Sequence, residues 1–137
     1  MVPITSFGTM ATTAMRILLA DDDRFFRKAA EAILVRSGFT VMTAADGDDA
    51  IDATRRELPD LVLLDLIMPK RNGFDALVAL KADAATSAIP VVVLSTLGQE
   101  SDVSRALEAG AADYVVKSQL PLKELVRRVQ AVFDAAR

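Results

Sequence analysis

Five short apolar runs alternate with stretches of helical periodicity along this chain, and this alternation constrains the fold more than any other feature. A short apolar run suits a strand that is buried on both faces, as strands in parallel sheets usually are. Strands that alternate with helices predict a parallel sheet covered by helices on both faces. The predicted strands are Ile17–Ala20, Thr40–Ala44, Leu61–Leu64, Val91–Leu94 and Tyr114–Val116.

The intervening segments carry apolar residues at helical spacing. The two clearest apolar faces are Phe26, Ala29, Ala30, Ile33 and Leu34 in the first segment, and Leu122, Leu125, Val126, Val129 and Phe133 in the last. Weaker periodicity predicts helices at 48–57, 74–84 and 102–109. Glycines fall at the junctions, where tight or left-handed backbone is expected: Gly38, Gly47, Gly73, Gly98 and Gly110.

We therefore expect one α/β domain over residues 15–137, a doubly wound five-stranded parallel sheet with five helices. A chain of 137 residues suits a single domain of this kind. Residues 1–14 are small, polar and weakly patterned, and we expect them to form a flexible leader. The sequence shows neither a signal-peptide pattern nor the run of about 18 apolar residues that spans a bilayer. The expected location is the cytoplasm.

The composition excludes several kinds of site. The sequence contains no cysteine and no histidine, which removes disulfides, thiol nucleophiles, and imidazole groups as bases or metal ligands. Carboxylates and main-chain oxygens remain, and these ligands suit a hard cation such as Mg²⁺. The net charge of −3 at pH 7 gives no overall positive field that would attract nucleic acid.

Polar side chains follow four of the predicted strands at their carboxyl ends. The residues are Asp21, Asp22 and Asp23 after the first strand, Asp65 after the third, Ser95 and Thr96 at the fourth, and Lys117 after the fifth. Asp65 interrupts the apolar run LVLLDLIMP, where an isolated carboxylate is expensive to bury. Ligands bind beyond the carboxyl ends of parallel strands, so these groups should share one crevice. Such a crevice can hold a divalent cation and a phosphoryl group.

Each of these residues also has a purely structural interpretation. The triplet Asp21–Asp23 could cap the helix that follows it. Lys117 could be a solvated surface charge, and Ser95 a turn hydroxyl. Asp65 is harder to explain in this way, because apolar residues flank it. The occurrence of all these groups at strand ends, in a compatible order, favours a functional site.

The motifs resemble the receiver domain of response regulators, the CheY-like family, from Met15 to about Arg137. "ILLADDD" resembles the first strand of the family with its acidic pair, and "DLVLLDLIMPKRNGFD" resembles the segment around its phosphoaccepting aspartate. "VVVLST" and "AGAADYVVK" resemble the last two strands. The resemblance implies the strand order 2-1-3-4-5 and a stand-alone response regulator of two-component phosphorelay signalling.

The family mechanism implies that Asp65 is the phosphoacceptor and that Lys117 pairs with a phosphoryl oxygen. Because the chain has no histidine, the phosphohistidine must come from a partner histidine kinase or histidine phosphotransfer protein. Ser95 and Tyr114 are then the switch residues, and they change the face formed by the fourth helix, fifth strand and fifth helix. We expect a downstream protein target on that face, and neither nucleic acid nor membrane as a partner. The chain is expected to be a signalling phosphoacceptor rather than an enzyme.

The resemblance also implies Mg²⁺ as a cofactor. Its implied ligands are Asp21, Asp22, Asp65 and the backbone carbonyl of Ile67. Many family members have proline after the lysine, where this chain has Ser118, so the cis or trans state of that bond is not given by the resemblance. Ile67 and Leu97 occupy rim positions that carry polar groups in some members, and Thr96 narrows the opening. Because apolar side chains at these positions cannot hydrogen-bond the water molecule that hydrolyses an aspartyl phosphate, we expect a long-lived aspartyl phosphate.

Competing classes match parts of the pattern. A haloacid-dehalogenase-type phosphatase would need a second aspartate at position 67, where this chain has isoleucine. A receiver that works without phosphorylation would not need all of the residues present at 22, 65, 95 and 117. A transcription factor would need a DNA-reading element beyond the last predicted helix. Phe25 or Phe26, next to the acidic triplet, is expected to be exposed for kinase contact; the alternative is that both lie in the core.

Overall fold

The sheet has the predicted composition and order. A computed structural model of the chain describes residues 14–119 and 121–136, and within them the five strands pair in parallel in the order β2-β1-β3-β4-β5. The strands are β1 Arg16–Ala20, β2 Thr40–Ala44, β3 Leu61–Leu64, β4 Val91–Ser95 and β5 Asp113–Val116. The predicted fold class and strand order are therefore confirmed. Almost all of the predicted leader, residues 1–13, lies outside the described residues.

Five α-helices connect and cover these strands in the described part of the chain. They are α1 Arg24–Arg36, α2 Gly47–Glu57, α3 Gly73–Ala82, α4 Glu100–Glu108 and α5 Leu122–Ala136. The helix α3 ends two residues before its predicted end, because the Asp83 side chain accepts a hydrogen bond from the Ala85 amide at 2.9 Å and starts a turn. The sequence did not predict the single 3₁₀ turn at Lys117–Gln119.

Alternate residues of the central strands feed two separate apolar layers. On β1, Ile17 and Leu19 face α1 and α5, whereas Leu18 and Ala20 face the layer that contains α2, α3 and α4. All four side chains are fully buried, as expected for strands in the middle of a doubly covered parallel sheet. Burial on both faces explains why these strands appear in the sequence as continuous apolar runs.

The strand order reverses between β1 and β3, and this point positions the site. From β1 the chain passes to β2 on one side, and it later enters β3 on the other side. The Asp21 amide donates to the Ala44 carbonyl at 3.0 Å, and the Asp65 amide donates to the Ala20 carbonyl at 2.9 Å. Both aspartates are thus held at the carboxyl edge of adjacent strands, where ligands bind in folds of this type.

None of the helices within residues 14–119 and 121–136 is long and apolar enough to cross a lipid bilayer.

Candidate functional site

Three carboxylates converge at the carboxyl edge of β1 and β3. Oxygen atoms of Asp21, Asp22 and Asp65 all lie within 4.8 Å of one another. Asp21 and Asp65 are buried, whereas Asp22 is exposed. Like charges this close repel one another, so the cluster requires cationic partners when it is ionised.

The third residue of the acidic triplet has a different role. The Asp23 carboxylate caps α1 by accepting hydrogen bonds from the amides of Phe25 and Phe26, both at 3.1 Å. The structural interpretation of the triplet is therefore correct for Asp23. Asp21 supports this turn by accepting from the Asp23 amide at 2.9 Å through Oδ1, which leaves its other oxygen directed elsewhere.

Lys117 provides the positive charge of the cluster. Its ammonium nitrogen lies 2.7 Å from Asp21 Oδ2 and 3.4 Å from Asp65 Oδ2, and the side chain is only 8% exposed. The same nitrogen lies 4.4 Å from the centroid of the Phe26 ring, which is within cation–π range. Burial alone would lower the pKa of Lys117, but the carboxylates of Asp21 and Asp65 more than offset this effect and raise it. The Lys117–Ser118 peptide bond is trans.

Asp65 lies in an environment that opposes its ionisation. Burial raises the pKa of its carboxyl group above the ordinary value of 3.8, and the charge of Asp21 adds to this effect. Lys117 and the Ile67 amide, which donates to Asp65 Oδ1 at 3.2 Å, act in the opposite direction without cancelling the shift. The anionic form of Asp65 is therefore less stable here than in water, and further negative charge at this site would need cationic partners such as Lys117.

The acidic cluster also fits a hard divalent cation. Among the described residues, no N–H or O–H group donates to Asp21 Oδ2 with hydrogen-bond geometry, although this atom is fully buried. The Lys117 ammonium nitrogen contacts this atom as an ion pair at 2.7 Å. Two buried carboxylates and an exposed one offer three anionic oxygens within a few ångströms, a ligand set that Mg²⁺ accepts together with water.

Ser95 and Tyr114 meet at the loop that follows β4. Ser95 is buried at the end of β4, and its Oγ accepts a hydrogen bond from the Leu97 amide at 3.2 Å. The Tyr114 ring is buried, and its hydroxyl donates to the Leu97 carbonyl at 2.6 Å. Both predicted switch residues therefore bind the same residue of one loop. Burial raises the pKa of Tyr114, so the phenol keeps its proton.

The comparisons with known proteins decide the family. A family model described as the response regulator receiver domain matches residues 17–130, well over half of the chain. The chain belongs to the response regulator receiver family. The resemblance noted from the motifs is thereby confirmed, and the acidic cluster with Lys117 lies within the matched segment.

Several relatives of this receiver are known. It is 43% identical over 122 residues to the DNA-binding response regulator MtrA of Mycobacterium tuberculosis, a match that covers 89% of this chain and 52% of MtrA. It is 41% identical to the phosphate regulon transcriptional regulatory protein PhoB of Klebsiella pneumoniae, covering 87% and 52% of the two chains. It therefore spans about half the length of these relatives.

A solved structure with a similar fold is also known. One chain of the crystallised Borrelia burgdorferi complex of CheX and CheY with BeF₃ and Mg²⁺ superposes with a TM-score of 0.81 at 32% identity. The match covers 87% of this receiver and 89% of that chain.

The sequence did not predict two further contacts of this receiver site. Phe26 is half-buried beneath Lys117, whereas its neighbour Phe25 is 88% exposed, so one of the two phenylalanines is exposed as expected. The Arg27 guanidinium donates to the Asp21 carbonyl at 2.7 Å and fixes the acidic loop. Helical spacing alone placed Phe26 on the inner face of α1, but its contact with Lys117 joins residues far apart in the sequence.

Proposed function

We propose that this receiver is a response regulator of two-component phosphorelay signalling that acts in the cytoplasm and accepts a phosphoryl group on Asp65. The observation that carries the proposal is the arrangement of Asp65 itself. It is buried at the carboxyl end of β3, with its pKa raised, next to one ammonium group and two further carboxylates. A buried carboxylate can act as the nucleophile in phosphoryl transfer, and the adjacent ammonium group of Lys117 offsets the negative charge that the phosphoryl group brings.

In the proposed transfer, the Asp65 carboxylate replaces the imidazole of a phosphohistidine on phosphorus. An oxygen of the Asp65 carboxylate forms a bond to phosphorus, while the bond from phosphorus to the imidazole nitrogen of a partner phosphohistidine breaks. The electron pair of that bond stays on the imidazole nitrogen. The partner histidine leaves as neutral imidazole, taking a proton from solvent where it needs one. Lys117 lies 3.4 Å from Asp65 Oδ2 and can pair with a phosphoryl oxygen as negative charge arrives. Asp65 is thus the phosphoacceptor of the receiver, and the receiver is not an enzyme with a separate substrate.

The ligands proposed for Mg²⁺ are Asp21, Asp22, Asp65 and the backbone carbonyl of Ile67. The close approach of carboxylate oxygens from Asp21, Asp22 and Asp65, all within 4.8 Å of one another, supports this assignment. When bound, the cation would neutralise phosphoryl oxygens in the crevice. The Ile67 amide holds Asp65 Oδ1 at 3.2 Å, which orients the carboxylate and leaves Oδ2 towards Lys117.

The proposed output is a change in the face formed by α4, β5 and α5. Ser95 and Tyr114 bind the amide and the carbonyl of Leu97, so a shift of the Ser95 hydroxyl towards a phosphoryl group alters the loop that leads into α4. Arg128 of α5 holds Asp113 of β5 through two hydrogen bonds of 2.8 and 2.7 Å, which couples these two elements. A phosphorylation event would then bias the shape of this face, where a downstream protein target docks.

The names of the relatives bear on the kind of downstream target that is proposed. MtrA is named as a DNA-binding response regulator and PhoB as a transcriptional regulatory protein, and this receiver matches about half of each. Within our proposal, residues 15–137 contact proteins rather than nucleic acid or membrane, which agrees with their net negative charge. The proposed upstream partner is a histidine kinase or a histidine phosphotransfer protein.

The test is to measure the intact mass of the protein after incubation with a small-molecule acyl phosphate and Mg²⁺. We expect one added phosphoryl group on the native protein and none on Asp65→Asn. Asp60→Asn is the matched control, because Asp60 is an aspartate at the opposite edge of the sheet that accepts a hydrogen bond from the Arg16 amide. Undiminished labelling of Asp65→Asn would refute the assignment of the phosphoacceptor.

A further inference from the structure

The start of α2 packs directly against the loop that connects β3 to α3. Gly47, the first residue of α2, is buried against the backbone of Arg71. A Cβ atom at position 47 would overlap the Arg71 carbonyl oxygen and would lie 2.6 Å from the carbonyl carbon. Because these are backbone atoms, no side-chain rotation can relieve the overlap. Any larger residue at position 47 must displace the loop.

A second glycine, Gly73, holds the two ends of the same loop together. A Cβ atom at Gly73 would overlap the Asp65 carbonyl oxygen and would lie 2.5 Å from Leu66 Cα. The Gly73 amide also donates to the Leu66 carbonyl at 2.9 Å. The loop from Asp65 to Gly73 is therefore fixed at both ends by contacts that exclude even a methyl group.

Two ion pairs join α2 to the middle of this loop. Arg71 Nε lies 2.8 Å from Asp48 Oδ1, and Lys70 Nζ lies 3.6 Å from Asp46 Oδ2. At least one partner of each pair is about half exposed or more, so each pair contributes little to stability. Lys70 also has a positive φ of 67°, a conformation that non-glycine residues adopt only when their surroundings impose it. The shape of the loop is thus set by its contact with α2 rather than by its own preference.

We propose that Gly47 is a positioning residue for the phosphoacceptor site. Its contact with Arg71 fixes the loop that begins at Asp65 and contains Ile67, the proposed carbonyl ligand of Mg²⁺. This inference rests on the proposed function of that loop. It adds a residue of α2 that lies outside the acidic cluster and outside the contacts of Lys117.

The substitution Gly47→Ala moves the Arg71 backbone away from α2 and with it the path of the chain back to Ile67 and Asp65. We expect the dissociation constant for Mg²⁺ to rise about five- to tenfold, a usual size for coupling between neighbouring sites. The phosphorylation rate falls at low Mg²⁺ and recovers at saturating Mg²⁺, because the variant still contains every group that reacts. A general loss of folding would not produce this separation.

The experiment is a titration with MgCl₂ followed by ¹H–¹⁵N NMR at the amides of residues 20–23 and 64–67. Gly38→Ala is the matched control, since Gly38 has a φ of +102° and a Cβ there meets no atom within 4 Å. That variant is strained but leaves the loop untouched, so its affinity should stay within about twofold of the native protein, the scatter expected of one uncoupled site. If Gly47→Ala binds Mg²⁺ as tightly as Gly38→Ala, the positioning role is refuted. If the native protein binds no Mg²⁺, the proposed metal site itself is refuted instead.

A measurement on the native protein tests the proposal even if Gly47→Ala does not fold. Coupling is reciprocal, so a contact that favours the metal-binding shape of the loop must itself be stabilised by the metal. The Asp49 amide donates to Asp46 Oδ1 at 2.8 Å, and the Ala50 amide donates to the Asp46 carbonyl at 2.9 Å. We expect hydrogen exchange at these two amides to slow several-fold when Mg²⁺ is added, by the same coupling. Unchanged exchange at both amides, with Mg²⁺ demonstrably bound, would overturn the proposal.

Discussion

The two edges of the sheet use similar charged groups in opposite ways. At the amino edge, the Arg16 guanidinium lies 3.2 Å from the Glu57 carboxylate and donates to the Glu57 carbonyl at 2.7 Å. The Arg16 amide donates to Asp60 Oδ2 at 2.7 Å. The side chains of Arg16 and Glu57 are about one-third exposed. At the carboxyl edge, Lys117 and its two carboxylates are almost fully buried.

The difference lies in the balance of charge. At the amino edge each ion is partly solvated and has several hydrogen-bond partners, so its charge is well accommodated. At the carboxyl edge one ammonium group faces two buried carboxylates, and a third carboxylate is nearby. An excess of buried negative charge destabilises the fold and attracts cations. The comparison indicates that the charges of the amino edge are well accommodated in the fold, whereas those of the carboxyl edge are not, which agrees with the proposed site at that edge.

Polar substitutions at the rim should have the largest effect in this comparison. Ile67 is 50% exposed beside Asp65, and Leu97 is half-buried beside Ser95. Neither can orient a water molecule for hydrolysis of the aspartyl phosphate. Ile67→Asn combined with Leu97→Glu should accelerate dephosphorylation about ten- to a hundredfold, since a new orienting contact supplies roughly 1–3 kcal/mol.

The decay of the phosphorylated protein, followed by intact mass, measures this effect. Leu58→Asn is the control, because Leu58 is an exposed leucine at the amino edge whose positive φ of 46° suits asparagine. It should leave the decay rate unchanged. Equal or slower decay in the double variant would show that the rim does not limit hydrolysis.

The two ends of α1 provide a second test. Phe25 is 88% exposed next to the acidic cluster, whereas Val35 is 53% exposed near the other end of the helix. Phe25→Ser should slow phosphoryl transfer from a cognate kinase about five- to tenfold, the effect of losing roughly 1 kcal/mol of interface. Val35→Ser should slow it less, and both variants should react normally with an acyl phosphate. Equal slowing by both variants would place the contact along the whole helix rather than at its reactive end.

Replacing an aspartate by asparagine should change the folding stability in opposite directions at the two edges. The pKa of Asp65 is raised in the folded state, so the folded protein loses stability as the pH rises from 3.8 through that raised value. Asp65→Asn removes this loss and should raise the free energy of unfolding at pH 7.5 by about 1 kcal/mol or more. The gain should shrink as the pH falls towards 4.5.

Urea unfolding at both pH values measures this difference. Asp60→Asn weakens a hydrogen bond to Arg16 at the amino edge and should lower stability by about 0.5–1.5 kcal/mol. A loss of stability in Asp65→Asn at pH 7.5 would mean that its carboxylate is held favourably, and the contrast between the edges would disappear.

The sequence predicted the strands well because the central ones, β1, β3 and β4, are buried apolar runs. Observed and predicted strand bounds differ by one residue at most, as at Ser95, which extends β4. Helix ends were less predictable, since they depend on side-chain capping such as the turn that Asp83 forms. The strand-end rule, with the family resemblance, indicated the residues that meet around Lys117. The roles assigned to them in phosphorylation stay predictions.

Contacts that depend on tertiary proximity alone left no local signal. Three contacts of this kind join separate elements or turns. They are the contact of Phe26 with Lys117, the hydrogen bond from Arg27 to the Asp21 carbonyl, and the packing of Gly47 on Arg71. A glycine at the start of a helix can be required for several reasons, and only the close contact with the Arg71 backbone shows which reason applies to Gly47. These residues could be identified only from the three-dimensional structure.

The hydrogen bond from the Tyr114 hydroxyl to the Leu97 carbonyl can be followed through the intrinsic fluorescence of the protein. The chain contains a single tyrosine and no tryptophan, so its near-ultraviolet absorption and emission come chiefly from that one phenol. Tyrosine emission changes when the hydroxyl gains or loses a hydrogen-bond acceptor. Any rearrangement that separates the ring from Leu97 therefore changes the fluorescence of the unlabelled protein, and the movement of one loop can be timed in a stopped-flow instrument without introducing a dye.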